Sequence, residues 1–145
     1  MRGDMLAPAA VLVLWTLVML GWVAATRLPA IGGAKGLGSA RPGARGQDLE
    51  NVLPPQINWK SHNYTHLTEQ PTLFYATVVI LALVGATPID VALAWGYVGL
   101  RIAHSLWQSL VNSVPLRFAL FNLSTACLLL LAIRAAAACF ANMGH

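Results

Sequence analysis

The chain has 145 residues, of which 57% are hydrophobic and 10% charged. Soluble domains carry about a quarter charged residues, so this composition excludes an ordinary soluble domain and requires lipid to cover much of the surface. The net charge of +4 is no sign of a nucleic-acid partner, because the basic residues are not grouped on an aromatic-studded face.

Residues 5–26 are nearly uninterrupted apolar sequence, long enough for ~30 Å of hydrocarbon. Met1-Arg2-Gly3-Asp4 gives the segment a signal-peptide look, yet signal h-regions span only about 7–15 residues. It reads as a first transmembrane helix. A flexible basic loop is expected over 27–58, since Gly32, Gly33, Gly36, Gly38, Gly43 and Gly46 oppose regular structure. Pro54-Pro55 closes this loop and Trp59 suits an interfacial anchor. A second helix follows over about 60–86. Thr87-Pro88-Ile89-Asp90 has the form of a capping box with proline at the first helical position, opening a third helix over about 88–111. Ser113-Val114-Pro115 turns the chain into a fourth, about 115–141. One membrane domain therefore spans 1–145, and its fold class is an all-α integral membrane bundle of four transmembrane helices. Cys127 and Cys139 lie too far apart on one helix, about 18 Å, for a disulfide.

Arg27, Lys35, Arg41, Arg45 and Lys60 outnumber Asp48 and Glu50 in the first loop, and positive charge marks the cytoplasmic side. Both termini are then expected outside and the 27–60 loop inside. On the third helix, Tyr97, Arg101, His104, Gln108 and Asn112 fall within about 80° of one another. His62, His66 and Glu69 share a face of the second helix, and Arg117 opens the fourth at the same level. Ionisable residues inside a span are functional candidates by default. Each also has a plainer reading. Arg117 snorkels, or forms an anion site with free backbone N–H groups. Arg101, about 16 Å deep, forms a buried ion pair with Glu69. His66 and His104 are hydrogen-bonded core histidines, Asp90 is a helix cap, and Arg134 snorkels to the outer surface. The glycosylation patterns at Asn63 and Asn122 are set aside, one facing the cytoplasm and the other lying within the membrane. No metal site is expected.

Glu69-Gln70-Pro71-Thr72-Leu73-Phe74-Tyr75, Ala94-Trp95-Gly96-Tyr97-Val98-Gly99-Leu100-Arg101-Ile102-Ala103-His104 and Asn112-Ser113-Val114-Pro115-Leu116-Arg117-Phe118 together resemble the MAPEG superfamily, the membrane-associated proteins in eicosanoid and glutathione metabolism, in a bacterial-type member. The resemblance implies a homotrimer in a bacterial inner membrane, with glutathione held between subunits on the cytoplasmic side. Four short helices would hardly shelter so many polar groups within one protomer, which fits that assembly. By the same resemblance, Glu69, His66, Arg101, His104, Gln108 and His62 would bind glutathione, and Arg117 would activate its thiol for transfer to, or peroxidase action on, a lipophilic electrophile. A nearby guanidinium lowers a thiol's pKa. The implied partners are further copies of the chain, membrane lipid and a lipophilic small molecule, with no nucleic acid.

The chain also departs from the family pattern. His66 stands where an asparagine is common, and His62 and Thr65 stand where arginines are common. Gln108 replaces a tyrosine, and Phe118 and Phe121 replace a serine and a tyrosine. The competing reading is a scaffold or lipid-binding oligomer that keeps the fold without the thiol chemistry.

Overall fold

A computed structural model describes residues 2–33, 45–50 and 52–143. Helix α1 runs Arg2–Gly33, a short 3-10 turn covers Gly46–Leu49, and α2 spans Pro55–Glu69. Helices α3, α4 and α5 follow over Pro71–Val84, Pro88–Leu110 and Val114–Asn142. No strand occurs among the described residues. Gln70, between α2 and α3, is itself helical at φ −62° and ψ −39°, so the two form one rod. Pro71 supplies no N–H to the ladder at that joint.

Three rods are long and apolar enough to cross a membrane: α1, the α2–α3 rod and α5. Helix α4 is shorter, at 23 residues, yet still long enough to cross ~30 Å of hydrocarbon, and it carries the polar stripe. That stripe is turned inward, while Leu14, Leu83, Leu129 and Phe140 are exposed on the outside. Apolar exterior and polar interior is the arrangement lipid demands. The chain is an all-α integral membrane protein built as a four-helix bundle. Its apolar core draws Met5, Leu12 and Met19 from α1, Phe74, Val78 and Leu81 from α3, Ala94, Tyr97 and Val98 from α4, and Leu128 and Leu131 from α5. The Phe74 and Tyr97 rings stack at 4.3 Å between centroids.

Two boundaries differ from the expected ones, for tertiary reasons. Helix α1 continues past residue 26 to Gly33, through Pro29. Thr26 Oγ1 donates back to Trp22 O at 2.9 Å, and Arg27 Nη1 donates to Ser61 Oγ at 2.8 Å, pinning this end of α1 to α2. Helix α2 begins at Pro55 rather than near 60, held by Asn58 Nδ2, which donates to Glu50 O and Leu53 O. Of the expected flexible loop, residues 34–44 and 51 lie outside the described residues.

Gly85 ends α3 at φ +113°, a backbone that L side chains rarely adopt. Thr87 and Asp90 then form the expected capping box. Asp90 does more than cap, because Arg134 of α5 binds its carboxylate and donates to Thr87 Oγ1 at 2.9 Å. Arg134 thus clasps α5 to the start of α4 instead of snorkelling away. Asn142 Nδ2 donates to Val84 O, so the chain's last helix ends beside the α3–α4 turn. At the other end, Asn112 takes φ +57° between α4 and α5, a conformation asparagine tolerates better than most residues.

Candidate functional site

Helix α4 buries Tyr97, Arg101, His104, Ser105, Gln108 and Ser109. This correction bears on the expected need for other subunits: one protomer shelters the stripe from Tyr97 to Gln108, with Asn112 half-buried at its end. Much of the shelter comes from α1 and α2. Ser105 Oγ accepts from Trp15 Nε1 at 3.0 Å and from Asn63 Nδ2 at 2.7 Å. Arg101 Nη2 donates to the His66 carbonyl at 2.6 Å, and its guanidinium lies 5.8 Å from the Phe121 ring centre. Asn63 had no place in the sequence-based site. Its signal was its position one turn before the buried Leu67, on the inward face of α2.

The expected Arg101–Glu69 ion pair does not form. Arg101 is wholly buried, with Nε and Nη1 meeting no partner. The Glu69 side chain is 62% exposed and lies 3.5 Å from His66 Nδ1 instead. The cause is helical register. Asn63 and Leu67 mark the face of α2 turned to the bundle, and Glu69 sits about 200° around from Leu67 at 100° per residue. His62, His66 and Glu69 do share a face, but it lies at the rim and exterior of the protomer.

Two clefts meet at His66. The first, of about 170 Å³, is lined by His66, His104, Arg117, Val114, Phe118 and Phe121. Here the structure brings together three of the residues singled out from sequence. The His66 and His104 rings stand edge to face at 6.3 Å, with Phe121 6.1 Å from His104. Arg117 Nη1 donates to Asn112 Oδ1 at 2.5 Å, which fixes one arm of the fork in the turn between α4 and α5. This cleft joins a fixed cation and two imidazoles to an aromatic and aliphatic wall. The second cleft, about 190 Å³, lies between the end of α1, the 3-10 turn and α2, and His62 and His66 line it. His62 Nε2 is 2.9 Å from Glu50 Oε1.

Gln108 lies away from both clefts. It is buried, and its Oε1 has no donor. Among the described residues there is no group of three or more His, Cys, Asp or Glu side chains placed to hold a metal ion, and both cysteines are free. At the opposite end of the bundle, Asp90, Arg134, Thr87, Gly85 and Leu81 border a third cleft of about 240 Å³.

Compared with known families, residues 5–137 match the model of the MAPEG family. No curated protein matches the chain.

Proposed function

The chain belongs to the MAPEG family, and from that membership we propose that it is a membrane-bound glutathione-dependent transferase or peroxidase acting on a lipophilic electrophile. The single observation that carries this reading is the cleft that joins Arg117 to His66, His104 and the apolar side chains of Val114, Phe118 and Phe121. A thiolate needs a cation beside it, and a lipophilic substrate needs apolar walls with few, well-placed polar groups. Arg117 holds the sulfur as thiolate, its proton passing to water. In transfer, the C–S bond forms as the leaving group departs with its electron pair. In peroxidase action a hydroperoxide is the oxidant: two thiols give one disulfide, and the O–O bond is reduced to alcohol and water. Arg101 is wholly buried and lines neither cleft; on this reading it positions the site from behind, through the His66 carbonyl it holds. On this reading Glu69 and His62 meet polar ends of glutathione at the rim, and Gln108 lies behind His104.

Glu69 and His66 lie on the protomer's exterior, so the reading places the site at a boundary between subunits of a trimer. The basic first loop then faces the cytoplasm, the termini face outward, and the membrane is a bacterial inner membrane. The test is calorimetry of the purified protein with glutathione, together with conjugation of a chlorodinitroarene. Saturable binding and turnover are expected, and Arg117→Ala should lower kcat by about 10²–10³, the scale of losing one stabilising donor at a developing anion. Absence of glutathione binding, with Arg117→Ala indistinguishable from the parent chain, excludes the reaction.

A second reading, a scaffold or lipid-binding oligomer, draws on His62, whose ring nitrogen is engaged by Glu50, and on Thr65, whose hydroxyl bonds back to Ser61 O. Neither offers a fixed charge to a tripeptide. Lipid that co-purifies while glutathione leaves thermal stability unchanged would favour this alternative.

A further inference from the structure

The cleft between α2, α4 and α5 holds a buried polar side chain to which the thiol reaction assigns no step. His104 is only 3% exposed. It sits between the His66 ring of α2 and the Phe121 ring of α5, at 6.3 and 6.1 Å between centroids. Buried polar side chains are normally hydrogen-bonded. Among the described residues His104 has these ring contacts and no hydrogen bond. Its nitrogens are not sealed in as two of those of Arg101 are, so a group in the cleft that the ring lines can reach them.

What His104 can do follows from its neighbours. Val114, Phe118 and Phe121 offer the cleft no exchangeable proton, and a guanidinium does not give one up. The two histidines are the lining groups that exchange protons near neutral pH. His66 stands at the rim, 45% exposed and 3.5 Å from Glu69, which makes His104 the inner of the two. No carboxylate lines the cleft to hold a positive ring, so a proton that reaches His104 is passed on rather than stored. A halide departs as a stable anion and needs no such proton. An alkoxide is a strong base and leaves as it is protonated, which is the task of a general acid. Phe118, 66% exposed, sets the outer wall of the cleft against the lipid from which a lipophilic substrate comes.

Resting on the glutathione reading, we infer that His104 is the general acid of the site and selects lipophilic hydroperoxides, whose leaving group is an alkoxide. The thiolate beside Arg117 attacks the terminal oxygen of the hydroperoxide. An S–O bond forms, the O–O bond breaks, and its electron pair goes to the oxygen on the organic group. His104 gives that oxygen a proton from one nitrogen, which yields the alcohol. At the other nitrogen it regains a proton from the water that received the thiol's. A second glutathione then attacks the sulfenic sulfur; its proton leaves with the hydroxide as water, and the disulfide remains. The test sets the parent chain against His104→Gln at saturating glutathione, with cumene hydroperoxide and with a lipophilic peroxy acid, whose carboxylate leaves without a proton. The ratio of kcat for hydroperoxide to kcat for peroxy acid should fall about 10²-fold in His104→Gln; losses in binding or packing are common to both substrates and cancel. In the parent chain, which needs no variant to fold, heavy water should slow the hydroperoxide reaction and spare the peroxy-acid one. The ultraviolet band of bound thiolate should persist in His104→Gln and vanish in Arg117→Ala. An unchanged ratio, or an equal isotope effect on both substrates, overturns the inference and leaves the glutathione reading standing. So does loss of the thiolate band in His104→Gln, which would make the ring part of the grip on the thiol. A parent chain with no thiolate band removes both.

Discussion

Arg101 is the residue with the largest unresolved electrostatic demand. It is wholly buried and bonded to one backbone carbonyl, with an aromatic ring nearby and no carboxylate as counter-ion. Desolvating an ion costs several kcal/mol, and replacing buried ionic groups with packed apolar ones of similar volume is often neutral or stabilising by about 1–4 kcal/mol. Arg101→Met should therefore raise the thermal midpoint of the ligand-free protein while removing any stabilisation by glutathione. The two effects move in opposite directions, so general damage cannot mimic the pair. If Arg101→Met instead unfolds the protein early, the bond to His66 O and the contact with Phe121 are worth more than the desolvation, and the charge needs no ligand to settle it.

At the level of elements, the sequence made some features plain and hid others. The capping box at Thr87 and Asp90 was readable because it is local, four residues with one hydrogen-bond pattern. The stripe on α4 was readable because 3.6-residue periodicity puts Tyr97, Arg101, His104 and Gln108 on one face. The facing of α2 was not, since His62, His66 and Glu69 have the same period whether they look inward or outward. The deciding residues were Asn63 and Leu67, and only packing against α4 reveals their burial. The link from Arg134 to Asp90 spans two helices and has no sequence signature at all. That link makes a prediction about the α3–α4 turn. Asp90→Ala removes the box, a loss of about 0.5–2 kcal/mol for a helix cap, and also frees Arg134. In a double-mutant cycle with Arg134→Met, thermal unfolding should show that the two changes are less than additive. Full additivity would mean that the interhelical bond contributes nothing to stability.

At the level of the whole molecule, a protomer that buries its own polar stripe does not need neighbours for shelter, so the proposed trimer must rest on outward-facing features. Helix α4 presents one: Ala92, Gly96, Gly99 and Ala103 are all exposed, spaced to lie along one side. Small residues let helices approach closely in lipid, where packing rather than hydrophobicity drives association. Helix α5 presents another, because Asn122 is exposed, about 12 Å along the helix from Val114, with its Nδ2 bonded back to Phe118 O. An amide at that depth fits a helix interface better than lipid. Gly99 separates assembly from folding, since a Cβ built there meets nothing within 4 Å inside the protomer. Gly99→Leu should leave the helix content unchanged and, by removing a helix-interior glycine, favour α4 locally by up to about 1 kcal/mol. Mass photometry of the parent chain in nanodiscs should give three copies, and the Gly99→Leu protein should give predominantly single copies with the same circular dichroism. A variant that still assembles in threes would move the contact off this face of α4 and leave the α5 surface around Asn122 as the place where subunits meet.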